Sequence, residues 1–138
     1  MRIEVLPEEL HDAAVTLWRD CGLARPWNDP ADDLRRAMAG GGDTSTVLAG
    51  LGDDGALLAT AMVGHDGHRG WVYYLAVDEA ARGRGLGRLM MTACEQWVRS
   101  RGIPKIQLMV RTTNEAVLGF YQRLGYTDAE VVVLGRRF

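Results

Sequence analysis

Polar and apolar residues alternate from Arg2 to Val5 and the run stops at Pro7, which predicts a short first strand. From about Glu8 to Cys21 the pattern changes period: Leu10, Ala14, Leu17 and Trp18 fall on one stripe, predicting an amphipathic helix that Gly22 ends. A second helix is expected after Asp29, which precedes Pro30 and an acidic first turn at Asp32, and it ends in Gly40 to Gly42. Two strand-like runs follow, STVLAGLG and ALLATAMVG, separated by the turn Asp53-Asp54-Gly55. A third, GWVYYLAV from Gly70 to Val77, lies beyond the turn HDGHRG, so the three are expected as an antiparallel meander. The third run is apolar on both faces, the mark of a strand covered on each side.

Beyond it, Leu86, Met90, Ala93 and Trp97 recur at helical spacing, and Gly102 and Pro104 close that helix. KIQLMV reads as a strand, NEAVLGFYQRLGY as a helix that starts near Asn114 and ends before Gly125, and EVVVLGRRF as a last strand. Strand, helix and strand in succession imply a parallel pairing of YYLAV with KIQLMV through a right-handed crossover. The expected architecture is α/β of the α+β kind: a mixed, mostly antiparallel sheet with helices on its faces.

The chain has 138 residues, enough for one compact core, and a single domain spanning 1–138 is expected. A net charge of −2 supplies no global field for nucleic acid or an anionic membrane, so neither is expected as a partner. The N-terminal stretch carries Arg2, Glu4, Glu8 and Glu9 in place of an apolar leader, and a cytoplasmic protein is expected. Cys21 and Cys94 form no CxxC pair and read as reduced, buried thiols. His65 and His68 flank Asp66 in a turn that lacks a third strong ligand, so it reads as a polar hairpin and no metal is expected.

The chemistry concentrates in RGRGLGRLMM, Arg82 to Met91, where glycines alternate just before an apolar helix. Glycines there cost backbone entropy, and they permit close approach of a ligand to bare amides. Amides at a helix N-terminus favour an anion, and Arg82 and Arg84 add positive charge. The spacing fails the dinucleotide fingerprint, because the sixth position counted from Gly83 is Arg88, and no Walker lysine closes the loop.

The spacing that fits is R-x-x-G-x-G, as Arg82, Gly85 and Gly87. Further along, Asn114 and Tyr121 stand seven residues apart on one helical face, in NEAVLGFYQRLGY. In these two motifs and their order the chain resembles the GNAT superfamily of N-acetyltransferases, and RPWNDP with GWVYYLAV resembles its bacterial YpeA-type branch. The resemblance implies about six or seven strands with about four helices. It implies acetyl-coenzyme A (acetyl-CoA) as donor, with the pyrophosphate on Arg82, Gly83, Arg84, Gly85, Leu86, Gly87 and Arg88. It further implies splayed backbone N–H groups at Leu75, Ala76 and Val77 for the pantetheine and thioester, Asn114 at the pantetheine arm, and Tyr121 near the sulfur. Asn114 also reads as a helix cap and Tyr121 as core packing.

By the same resemblance the acceptor side is lined by Arg25, Trp27, Asn28 and Asp29, with Tyr73 and Tyr74 on the third strand of the meander. The implied activity is transfer of acetyl to a primary amine of a small molecule or protein, with Tyr121 as the acid for the leaving thiolate. A non-catalytic acyl-CoA-binding or sensing module is the alternative. No carboxylate stands out as base; Asp29, Asp66, Glu115 and a water chain remain open. Strand edges near the C-terminus leave room for a homodimer.

Overall fold

Asp29 opens the second helix because its side chain accepts from the Ala31 N–H at 2.9 Å while Pro30, which has no N–H to satisfy, takes the first helical position. Rules of this kind set the remaining boundaries in a computed structural model that describes residues 1–138. The chain forms two compact units, Met1–Leu108 and Met109–Phe138. The first contains β1 (Arg2–Val5), α1 (His11–Asp20), α2 (Pro30–Met38), β2 (Ser45–Leu51), β3 (Leu57–His65), β4 (Gly70–Val77), α3 (Leu86–Ser100) and β5 (Ile106–Leu108). Its sheet has the order β1-β2-β3-β4-β5, antiparallel except for the parallel pair of β4 and β5.

On one face of the sheet, Ala14, Val15, Leu17 and Trp18 of α1 and Leu34 and Ala37 of α2 pack with Val47, Ala49, Leu51 and Ala76. On the other, α3 buries Leu86, Met90, Met91, Cys94 and Val98. That stripe is rotated from the predicted one: Val98, not Trp97, is the inner residue. Gly70 explains the choice, since a Cβ there would stand 2.6 Å from a Val98 methyl, so the strand is hollowed to receive a branched side chain. Trp97 sits at the rim with the Arg101 guanidinium 3.7 Å over its ring. Burial also pushes the Cys94 thiol up to about 12, leaving it an inert part of the core.

The parallel pairing occurs, but on a different part of the strand. Gly70, Trp71 and Val72 face Ile106, Gln107 and Leu108, so the start of β4 is paired where YYLAV was predicted to be. Within the second unit, α4 (Glu115–Arg123) is capped by the Asn114 side chain, which accepts from Val117 N–H at 3.3 Å. The predicted strand Glu130–Phe138 is absent: a strand exists by virtue of its ladder partner, and this unit holds no second strand. The sheet therefore has five strands in place of the six or seven expected, with four α-helices as expected.

Gly70→Ala is expected to destabilise the fold by about 1–3 kcal/mol through overpacking, and Val98→Ala in the same chain to restore part of that loss. Urea unfolding of the two single variants and the double variant measures the coupling.

Candidate active site

The helices of this chain treat their N-termini in two ways. Asp29 caps α2 with Asp32 and Asp33 in its first turn, Asn114 caps α4 with Glu115 following, and α1 carries Asp12 in its first turn. Only α3 has neither a side-chain cap nor an acid in the first turn. Its N-cap is Gly85 in the left-handed conformation, φ 75°, and Gly83 two residues earlier is left-handed as well, φ 79°. No backbone N–H from Gly83 to Arg88 reaches a protein acceptor; the first helical bond runs from Leu89 N–H to the Gly85 carbonyl at 3.2 Å. These amides, together with the positive end of a fifteen-residue helix, form an anion seat built from backbone.

The arginines of the motif brace this loop. Arg82 Nε donates to the Val77 carbonyl at 3.2 Å and its Nη2 to Cys21 Sγ at 3.5 Å, tying the end of β4 and the end of α1 to the turn. Arg84 Nε reaches the Ala81 carbonyl at 3.4 Å. Both residues remain exposed, so their charge still faces whatever occupies the loop. A cleft of about 650 Å³ beside the turn has Asp20, Cys21, Asp78, Glu79 and Arg82 in its lining, so the first arginine of the motif shares it with three carboxylates.

The end of β4 supplies the second element. Thr60 pairs with Ala76 and Met62 with Tyr73, so Tyr74 and Leu75 together oppose Ala61 alone: a β-bulge. Tyr74 takes φ 51°, a conformation that costs a bulky residue roughly 1–3 kcal/mol. Three contacts hold it there. Its ring stacks on Trp18 at 4.0 Å, its hydroxyl donates to Asp33 Oδ2 at 2.7 Å, and its carbonyl accepts from Thr60 Oγ1 at 3.2 Å. Burial and then the Asp33 hydrogen bond raise the Tyr74 phenol far above its usual range, so it stays a protonated donor. Because β5 pairs only as far as Val72, β4 from Tyr73 to Val77 runs on with no ladder partner from β5. Leu75, Ala76 and Val77 therefore lie beyond the β5 ladder, while Ala76 and Val77 remain in register with Thr60 and Ala59 of β3.

The expected acceptor residues divide. Tyr73 is 43% exposed and Trp27 52%, so neither ring is a buried packing anchor. Arg25 folds back on the carbonyls of Gly22 and Ala24, Asn28 N–H closes a turn on the Arg25 carbonyl, and the Asp29 carboxylate is engaged as the cap. In the HDGH turn, Asp66 accepts from the backbone N–H groups of Arg69 and His68 and from Trp71 Nε1, which lowers its pKa to about 2. A carboxylate so stabilised is a poor base at neutral pH. In the second unit, Asn114 is the cap of α4, and Tyr121 lies edge-on to Phe120 at 5.0 Å and to Tyr126 at 5.8 Å. Sequence reasoning passed over Asp33, Trp18 and Thr60; the one signal was a lone hydroxyl in the apolar run ALLATAMVG.

Residues 8–126 match the model of the acetyltransferase (GNAT) family, and the chain belongs to that family. Among solved structures of the same fold is AAC(6')-Iy in complex with a bisubstrate analogue, CoA-S-monomethyl-acetylneamine: 16% identity, TM-score 0.81, over 99% of this chain and 97% of that one. Glucosamine-6-phosphate N-acetyltransferase from Arabidopsis thaliana matches at 17% identity, TM-score 0.75, over 99% and 97%. Aminoglycoside 6'-N-acetyltransferase AAC(6')-IG from Acinetobacter haemolyticus matches at 16% identity, TM-score 0.78, over 100% and 99%. The family uses acetyl-CoA as acyl donor, and the residues here suit it: unbonded amides for a diphosphate and a strand end beyond the β5 ladder for an extended arm. No helix is long and apolar enough to cross a membrane.

Asp66 has a folded-state pKa below its unfolded value near 3.8, so its contribution to stability is complete above that value and is lost as pH falls toward about 2. An NMR titration of its carboxyl carbon should give a midpoint near 2, and Asp66→Asn should abolish this part of the acid-range stability loss.

Proposed function

We propose that this chain is an acetyl-CoA-dependent N-acetyltransferase that passes acetyl directly from the thioester to a primary amine of a small molecule or a protein. The observation that carries the reading is the uncapped α3 N-terminus, where the amides of Gly83, Arg84, Gly85, Leu86, Gly87 and Arg88 await an anion. The family match spans Glu8 to Tyr126 and so includes residues of both units, which supports a single N-acetyltransferase domain. The stretches RPWNDP and GWVYYLAV support assignment to the YpeA-type branch, and a bacterial, cytoplasmic protein completes the reading.

Acetyl-CoA supplies an activated thioester; the chain's own groups do the rest. Arg82 and Arg84 hold the loop and add charge at the diphosphate, and Asn114 contacts the pantetheine arm. The backbone N–H groups of Leu75 and Val77 donate toward the carbonyl and the arm, the kind of fixed donor that contributes most to acyl transfer. Arg25, Trp27, Asn28, Asp29, Tyr73 and Tyr74 line the acceptor side. Tyr121 hydrogen-bonds the leaving sulfur. A phenol near ~10 gives its proton uphill to a thiolate whose acid is near ~8.5, so stabilising the thiolate is the lesser demand on it. An amine with pKa near ~10.4 must also be freed of its proton, a cost of about 4–5 kcal/mol at neutral pH. With Asp29 capping and Asp66 strongly acidic, Glu115 and a water chain to solvent are the routes left for that proton.

The test is release of free thiol from acetyl-CoA across a panel of primary amines. Amine-dependent release is expected, and Tyr121→Phe should lower kcat on the order of tenfold or more with acetyl-CoA affinity nearly unchanged. Equal turnover in that variant removes Tyr121 from the chemistry. Tight coenzyme binding without release from any amine would instead identify a sensing module.

A further inference from the structure

The contacts that hold Tyr74 have a consequence for the next N–H along the chain. Trp18 Nε1 donates to Thr60 Oγ1 at 2.8 Å, and Thr60 Oγ1 donates to the Tyr74 carbonyl at 3.2 Å; Trp18 and Thr60 are both 0% exposed. With Trp18, which can only donate, on the hydroxyl oxygen, the hydroxyl proton is left for the Tyr74 carbonyl. A peptide unit is planar and trans, so its C=O and N–H point in opposite directions. The Tyr74 carbonyl is turned toward β3, and the Leu75 N–H is therefore turned away from β3, toward the side on which β5 has ended.

All the dipoles in this chain run the same way: indole N–H to hydroxyl, hydroxyl to carbonyl, carbonyl to the amide N–H beyond it. Successive donors polarise one another, more so where water is excluded. The rest of the arrangement serves the same end. The extra residue in β4 breaks the ladder alternation here, and the Trp18 stack and the Asp33 bond keep Tyr74 in its left-handed conformation.

We propose that Trp18 and Thr60 are positioning residues whose hydrogen-bond relay aims the Leu75 N–H at the thioester carbonyl of the acyl donor and strengthens it as a donor. The inference rests on the acetyl-CoA reading above. Neither residue touches the donor; both act through the Tyr74–Leu75 peptide.

The experiment is the infrared carbonyl stretch of acetyl-CoA, ¹³C-labelled at the thioester carbonyl and bound to the protein without any acceptor, with coenzyme affinity measured calorimetrically in parallel. In the wild-type protein the stretch is expected to lie below that of free acetyl-CoA. Thr60→Val, which keeps the shape and removes the hydroxyl, should return it most of the way to the free value while affinity stays within about twofold, and should lower kcat on the order of tenfold to a hundredfold with little change in KM for the donor. Thr60→Ser should restore both. Trp18→Phe, which keeps the ring stack and loses the N–H, should give an intermediate stretch. The wild-type Leu75 amide, followed by ¹⁵N NMR, should move downfield with acetyl-CoA and not with coenzyme A, which lacks the carbonyl; this reading needs no variant. Binding with the Leu75 amide unmoved, or a folded Thr60→Val with the wild-type stretch, overturns the relay alone. Failure of the wild-type protein to bind acetyl-CoA overturns the acetyltransferase reading beneath it.

Discussion

A helix N-terminus carries several amides that no helical carbonyl can accept, and a protein ordinarily meets that requirement with a capping side chain or an acid in the first turn. Three of the four α-helices here do so, through Asp12, Asp29 or Asn114, and α3 does not. Its first turn holds Arg88 and its approach holds Arg82 and Arg84, so the side chains deepen the positive potential where they would be expected to offset it. Left-handed glycines at 83 and 85 keep the backbone bare and reachable. A terminus of this kind favours an anion, and a diphosphate would meet it with charge as well as geometry.

That constraint fixes where the rest of the site must lie. The turn follows directly from β4, and Arg82 returns to the Val77 carbonyl, so the last residues of β4 and the anion seat are held at one short distance along the chain. β4 is released from β5 after Val72 and bulged at Tyr74–Leu75, which turns an ordinary ladder strand into a row of directed backbone groups. The strain of a tyrosine at positive φ is offset by buried contacts from α1, α2 and β3. The elements of the first core face therefore also hold the bulged end of β4 in place.

Much of this was legible in the amino-acid order. Alternation located the meander, Asp29-Pro30 located α2, and the glycine spacing located the uncapped start of α3, because each is a local rule that tertiary packing did not overrule. What escaped was what depends on a partner. The pleat carries no mark of an extra residue, so Tyr74 and Leu75 looked like any two successive residues of a strand. The rotation of the buried stripe from Trp97 to Val98 follows from the hollow at Gly70, a fact about the facing strand. The length of β5 and the fate of Glu130–Phe138 depend on ladders, which no single run of residues encodes. Asp33 drew no reading at all, and its bond to Tyr74 spans a separation that no motif covers.

The central claim is that the turn between β4 and α3 binds a diphosphate through its own backbone. The most direct measurement is the ¹⁵N–¹H spectrum of the wild-type chain titrated with coenzyme A. The account predicts that the amides of Gly83 to Arg88 move together and saturate along one isotherm. Saturable binding that leaves those amides in place, or no binding, would contradict it.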